Sequence, residues 1–384
     1  MKILITTDLF TTNTNGVVTS VKNLWDELKA RGHDVRILTI SDTGHSRCED
    51  GVYFVRSVPF KVYPDVRMPT SYRHRYIKEM INWKPDIIHS QCEFFSFQFA
   101  KYVSRKTGAP IVNTYHTLYE QYSAYVLPGK RFGRWVVKVF SRERLKHVRT
   151  VVVPTHKIED KLRSYGLKND ISVIPSGISL EQHKKRISVE ERKNRRSALN
   201  IPENAVVLMN LGRLGAEKNL DELISYFADI AREDDCVRMM IVGDGPNKKN
   251  LEHHVASLGL EDKVVFTGMV DPSEVHVYYQ LGDIFVSAST SETQGLTYIE
   301  AASNGLPLVC RRDACLDDII DEGINGFQYD TEEDFKKYIK KFVDDINFRR
   351  DAGEMSKDTV AKFDKSVFGE SAEKLYETIL KEKA

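Results

Sequence analysis

Glu292 and Glu300 stand eight positions apart in the run Ser-Glu-Thr-Gln-Gly-Leu-Thr-Tyr-Ile-Glu-Ala-Ala at 291–302. The apolar run Ile284–Ser287 before it reads as a strand, and the run itself opens a helix, with Glu300 expected about two turns in. Gly295 narrows the intervening loop beside the helix N-terminus, where exposed backbone N–H groups suit an anionic or hydroxyl-rich ligand. A carboxylate on either side of such an N-terminus can hold sugar hydroxyls. A second set of groups, at 210–219, follows another apolar run. It places Arg213 and Lys218 on a loop with Gly212 and Gly215. A planar guanidinium fork beside a compact ammonium suits a pyrophosphate, and the alternative is a pair of solvated cations.

Other turns carry weaker signals. Gly243, Asp244 and Gly245 form one strand-to-helix turn, and Gly268, Met269 and Val270 another. Both can present backbone groups to a nucleotide or serve only as turns. Gly16 closes the polar loop after the first strand, where it lets backbone approach a ligand or simply makes the turn. His116 ends the apolar run at 111–114. It can donate to a sugar hydroxyl or phosphate, or be structural. There is no Gly-x-Gly-x-x-Gly, no Walker loop, no Ser-His-Asp order and no His/Cys metal spacing.

These residues need strands and helices to hold them. Apolar runs at 2–7, 34–40, 86–89, 110–114, 151–154 and 171–175 alternate with helical spacing at 17–31 and 94–107. The pattern restarts with strands at 205–210, 237–242, 264–267, 284–287 and 308–311 and helices at 220–232 and 245–258. Two such series predict an α/β chain of two Rossmann-like, doubly wound, parallel-sheet domains whose ligand site lies in the cleft they face. The expected division is 1–177, 178–362 and a helix at 363–384 packing back towards the first domain.

The chain has 384 residues, enough for two cores, with 41% hydrophobic and 29% charged residues, as in soluble globular proteins. No apolar run reaches the length of a membrane span, and the N-terminus reads as a buried strand, not a signal peptide. Five cysteines without zinc or redox spacing point to reduced thiols in the cytoplasm, with Cys310 and Cys315 in core or loop, or as ligands.

The net charge of +1 hides an asymmetry, because residues 1–175 carry 28 Lys and Arg against 16 Asp and Glu. A basic half of this kind suits an anionic partner. Its densest part is 129–150, with eight Lys and Arg and one acid. Phe132, Trp135, Val136, Val139 and Phe140 share a helical face, flanked or opposed by Lys130, Arg131, Arg134, Lys138 and Arg142. Such a helix can lie on an anionic membrane, or pack its apolar face on its own domain. No aromatic platform or reader motif supports nucleic acid.

As an ordered set, Asn15-Gly16-Val17, Tyr115-His116-Thr117, Pro175-Ser176-Gly177-Ile178, Gly212-Arg213 with Lys218, Gly243-Asp244-Gly245-Pro246 and Glu292 with Glu300 resemble family 4 of the retaining glycosyltransferases. These have the two-Rossmann GT-B architecture. The runs around His116 and Glu292 resemble those of bacterial diacylglycerol glucosyltransferases. The resemblance implies that Arg213 and Lys218 bind the diphosphate of a nucleotide sugar and stabilise the leaving group, while Gly16 lets its loop close on that diphosphate. It implies that Glu300 holds the ribose, and that Glu292 with the following amides, Gln294 to Thr297, orients the sugar. His116 would touch that sugar, Gly243 and Asp244 would line the donor site, and Met269 and Val270 would lie near the base. It further implies hexose transfer, glucose from UDP-glucose, to diacylglycerol at the cytosolic membrane face, with retention, no metal and no cofactor. The alternatives are a soluble or polysaccharide acceptor, or a non-catalytic nucleotide-sugar-binding scaffold. The family's glycine-rich first loop is here a single Gly among Thr and Asn. Cys310-Arg311-Arg312 has no assigned role.

Overall fold

A computed structural model of the chain describes residues 1–10, 16–60, 67–120 and 129–383. Its contacts divide into two compact units, Met1–Ile178 with Lys365–Ala384, and Ser179–Asp364.

The first unit is built on an eight-stranded sheet of β1 (Lys2–Thr7), β2 (Asp34–Ile40), β3 (Arg47–Glu49), β4 (Val52–Val55), β7 (Ile87–Ser90), β8 (Ile111–Thr114), β9 (Thr150–Val153) and β10 (Asp170–Val173). Their order is β10-β9-β8-β7-β1-β2-β4-β3, parallel except for the β3–β4 pair. A two-stranded antiparallel pair, β5 (Ser57–Pro59) and β6 (Arg67–Pro69), stands apart. Apart from exposed Lys2, the central strands β1, β7 and β8 are buried throughout, as expected of a parallel sheet covered on both faces. One face is covered by the helices Arg75–Trp83, Phe95–Thr107 and Lys130–Leu145.

The other face carries the helices Gly16–Ala30 and Lys365–Lys383. Val18, Val21, Leu24 and Leu28 of the first repeat at helical spacing and are buried. Phe368, Ala372, Tyr376 and Ile379 of the second complete the same core. Gly369 allows the two helices to approach, since a Cβ there would lie 2.6 Å from Glu27 Cβ. Arg31 and His33 both bind Glu373, at 3.1 and 2.8 Å.

The second unit holds six parallel strands, β11 (Val206–Leu211), β12 (Val237–Val242), β13 (Val264–Gly268), β14 (Ile284–Ser287), β15 (Leu308–Arg311) and β16 (Gly326–Tyr329). Their order, β13-β12-β11-β14-β15-β16, is that of the doubly wound nucleotide-binding sheet. The expected α/β class and both Rossmann-type sheets are therefore present.

Sequence spacing misses β3 to β6 and β16. β3, β5 and β6 are three residues each with polar or Pro residues, and β16 has Gly and Gln inside it, so none of these forms a distinct apolar run; β4, Val-Tyr-Phe-Val, is an apolar run that sequence reasoning passed over. One position needs correction. The helix after β14 spans Leu296–Ser303 and its N-cap is Gly295, so Glu300 sits just over one turn in, not two. The left-handed φ of +79° at Gly295 delays the helix start. Gly16 is likewise the first residue of its helix, and residues 11–15 of the preceding loop lie outside the described residues.

Candidate active site

In the second unit the strand order reverses between β11 and β14, which places a ligand crevice at their carboxyl ends. Asn210 fastens the two strands there, its Nδ2 donating to Val286 O at 2.7 Å. The chain leaving β11 turns at Gly212 and then makes a 3-10 turn at Ala216–Lys218. Lys218 Nζ donates to Glu292 Oε1, and Ser289 Oγ donates to the same oxygen at 2.8 Å. Arg213 pairs with Glu217 on its own loop. The sequence-predicted Lys218 and Glu292, 74 residues apart, are thus in contact. Each cation is matched by a carboxylate.

The loops after β12 and β13 are laced to this one by backbone. Gly212 N donates to Val242 O at 3.0 Å, Leu214 N to Asp244 O at 2.9 Å, and Gly243 N to Gly268 O at 3.0 Å. Gly243 has φ +128°, and a Cβ there would lie 2.0 Å from Gly212 O. No residue with a side chain fits without moving the Arg213 loop. Asp244 Oδ1 caps its own turn by accepting from Gly245 N at 2.7 Å. Met269 is 78% exposed, with Val270 half-buried behind it.

Gln294 is buried beneath the helix start at Gly295, and Leu296 and Thr297 are half-buried. Glu300 Oε2 accepts from Tyr279 Oη at 2.8 Å. Burial pushes the Glu300 carboxyl up to about 7, partly offset by that hydrogen bond. Its bond to Tyr279 ties Glu300 to the helix Val275–Leu281.

Cys310 and Cys315 are buried, and burial drives the Cys310 thiol well up. No cluster of metal-ligating side chains occurs among the described residues. Arg311 and Arg312, which the sequence left without a role, are structural. Arg311 binds Glu222 of the helix Leu220–Glu233 at 2.5 Å, and Arg312 binds Asp330 at 2.8 Å.

In the first unit, His116 follows β8 and its Nε2–H donates to Gln91 Oε1 at 2.8 Å. Burial lowers the imidazole to about 4, so it is neutral near pH 7 and offers one donor and one acceptor. Sequence reasoning passed over three neighbours, Asp8, Glu93 and Tyr119. Asp8 Oδ1 accepts from Ser96 N at 2.6 Å at the start of the helix Phe95–Thr107. Tyr119 Oη donates to Glu93 Oε2. A findable signal was an acid placed within three residues of a buried strand's carboxyl end, as both Asp8 and Glu93 are.

The helix Lys130–Leu145 buries Gly133, Val137, Ser141 and Leu145. That stripe lies beside, not on, the apolar face read from sequence. Phe132 is 50% and Trp135 59% exposed, and their rings stack at 6.0 Å. Val136, Val139 and Phe140 are half-buried, with Phe140 stacked on Phe94. Arg131, Arg134, Lys138 and Arg142 are exposed around them, and the Lys130 side chain lies outside the described residues. No described helix is long and apolar enough to cross a membrane.

Two family models match the chain, "Glycosyltransferase Family 4" over residues 14–182 and "Glycosyl transferases group 1" over residues 191–359. An alpha-monoglucosyldiacylglycerol synthase of Streptococcus pneumoniae is 36% identical over 336 residues, 87% of this chain and 76% of that protein. One from Acholeplasma laidlawii is 30% identical over 394 residues, 98% of this chain and 96% of its own. Among solved structures, Anabaena Alr3699/HepE in complex with UDP-glucose superposes with a TM-score of 0.75 at 18% identity. That match covers 98% of this chain and 99% of the other.

Proposed function

This chain belongs to glycosyltransferase family 4, and from that premise we propose that it transfers glucose from UDP-glucose to diacylglycerol, with retention, at the cytosolic face of a membrane. The observation that carries the reading is the meeting of Lys218 and Glu292, with Arg213 on the same loop, at the carboxyl ends of β11 and β14. In this reading the diphosphate takes over both cations. Glu292, released from Lys218, turns to the sugar hydroxyls, and Glu300 holds the ribose. Gly243 and Asp244 shape the nucleotide loop, Met269 and Val270 flank the base, and Gln294 to Thr297 bring backbone groups to the sugar.

The chemistry follows from the charges. The acceptor hydroxyl attacks the anomeric carbon on the face from which the diphosphate departs. The glycosidic bond to phosphate breaks, the new one forms, and the hydroxyl proton leaves with the phosphate oxygen. Such a step needs neutralisation of the leaving group and positioning more than a separate base. Arg213 and Lys218 supply the charge, so the reaction needs no metal.

The names of the two relatives and the helix Lys130–Leu145 support the lipid acceptor. Half-exposed Phe132 and Trp135 ringed by Arg131, Arg134, Lys138 and Arg142 suit an anionic bilayer, where each near-surface cation contributes about 1 kcal/mol. Lys130 belongs to the same charge run. The test is incubation with a panel of nucleotide sugars and a lipid extract, with products identified by mass. A glucosyl diacylglycerol formed by the wild type and lost in Lys218→Ala is the expected result. Unchanged turnover in that variant, or a product built on another acceptor, would overturn the assignment.

A further inference from the structure

In the first unit the strand order reverses between β1 and β7, so this sheet too has a ligand crevice at its carboxyl ends. Three polar side chains stand there. Gln91 and Glu93 follow β7, and Asn113 lies on β8, where it pairs in register with Ser90. Each is at most 1% exposed.

Each is held by one of its polar atoms and leaves the other without a hydrogen-bond partner among the described residues. Gln91 Oε1 receives His116, Glu93 Oε2 receives the Tyr119 hydroxyl, and Asn113 Nδ2 donates to Ser90 O at 3.3 Å and Cys92 O at 3.5 Å. Gln91 Nε2, Glu93 Oε1 and Asn113 Oδ1 are the atoms left over. The Asn113 amide and the Glu93 backbone N–H both draw on the Glu93 carboxyl and lower it, though neither reaches Oε1 with full hydrogen-bonding geometry. Burying a polar atom unpaired is costly, and native proteins contain few such atoms. Here one donor and two acceptors lie at or within three residues of the carboxyl ends of β7 and β8, each side chain held by its other end. That is the complement of an alcohol, whose O–H donates and whose oxygen accepts.

We propose that Gln91, Glu93 and Asn113 form the seat of the acceptor's alcohol hydroxyl, with Glu93 Oε1 accepting its hydrogen bond and Gln91 Nε2 donating to its oxygen. The proposal rests on the transfer reaction above and supplies its second substrate's site. For diacylglycerol, the hydroxyl seated is the one that reacts. Glu93 orients it without taking its proton, which departs with the phosphate as before.

The surroundings set a pH dependence. Burial, then the charge of Asp8 on the segment after β1, push Glu93 up to about 7, against the lowering effect of the Tyr119 hydroxyl. Asp8 itself is raised by burial, Cys92 and Tyr115 are raised and stay neutral, and His116 is lowered and stays neutral. The accepting, ionised form of Glu93 therefore gains population as pH rises through about 7.

The test uses the full chain with UDP-glucose and a short-chain diacylglycerol in mixed micelles. Glu93→Gln should lower kcat/KM for the acceptor roughly 30-fold while leaving UDP-glucose KM and UDP affinity unchanged. Wild-type kcat/KM for the acceptor should fall about tenfold per pH unit below 7, and Glu93→Gln should lose that limb. Tyr119→Phe, which keeps the carboxylate but removes the bond that lowers it, should move the limb to higher pH. An unchanged acceptor KM, an equal loss towards both substrates, or a limb unmoved in both variants would overturn the seat. If Glu93→Gln does not fold, the limb in Tyr119→Phe decides. A wild type inactive on diacylglycerol counts against the acceptor assigned above. The seat is then read by binding of glycerol alone, expected in the wild type and absent in Glu93→Gln; binding in neither would overturn it.

Discussion

Replacing Glu292 with Gln should strengthen UDP binding while it weakens transfer, because the carboxylate competes with phosphate for Lys218. The pair is partly shielded, with side chains 27% and 17% exposed. Contact between unit charges is worth up to ~4 kcal/mol at an effective dielectric near 20, whereas fully exposed pairs contribute roughly 0–1 kcal/mol. After desolvation, a pair this covered should hold Lys218 back by about 1 kcal/mol. Gln keeps the shape and can still accept from Ser289, so the variant should bind UDP about 5-fold tighter. The sugar, in contrast, loses a charged partner for its hydroxyls, which costs about 2–3 kcal/mol, or roughly 30- to 150-fold in kcat/KM. Calorimetric titration with UDP and a glucosyl-transfer assay on one preparation give both numbers. UDP binding that weakens or stays the same would refute the idea that Glu292 stands in for phosphate at Lys218.

Other outcomes follow from the geometry. Exchanging Phe132 and Trp135 together for Ser should reduce sedimentation with anionic vesicles about 30-fold, since two half-exposed aromatics carry roughly 2 kcal/mol of burial; thermal unfolding should not change. Gly243→Ala drives a Cβ to within 2.0 Å of Gly212 O at a left-handed φ, and should destabilise the second unit by about 2–4 kcal/mol in a melting experiment. Tyr376→Phe removes the hydroxyl 2.6 Å from His89 Nδ1. It should lower first-unit stability by about 1–3 kcal/mol through an unpaired buried imidazole. His89 is held down to about 3 by burial. The unfolded chain therefore takes up its proton below pH ~6.5 while the folded chain does not. Stability should fall by ~1.4 kcal/mol per pH unit from there towards 3, with a flatter acid slope in His89→Gln.

The two sheets are legible in the sequence because their inner strands are buried on both faces, so each reads as a continuous apolar run ending at a turn. Residues 284–286 and 239–242 are plain examples. Arg213, Lys218, Glu292 and Glu300 stand out because they follow such runs within a few residues, beside glycines. What spacing cannot supply is a partner far away in the chain. Arg311 looks like a spare cation until Glu222, 89 residues earlier, is placed against it. Glu93 reads as an ordinary loop acid until Tyr119 folds over it. The helix Lys130–Leu145 offers two possible faces, and the stripe Gly133, Val137, Ser141 and Leu145 goes inside, with Ser141 Oγ 3.1 Å from the Tyr115 hydroxyl, leaving Phe132 and Trp135 out.

The first unit is written in two pieces of chain. Lys365 N returns to Ile178 O at 2.9 Å, and Phe368, Ala372, Tyr376 and Ile379 fill a core whose other buried members lie before residue 178. During synthesis, the earlier-born sheet therefore waits with one face covered only by the helix Gly16–Ala30 while the whole of Ser179–Asp364 emerges. A ribosome stalled at residue 364 would hold all of the second unit's chain and an unfinished first unit. For that interval the part-covered face is a client for whatever chaperone attends the tunnel exit.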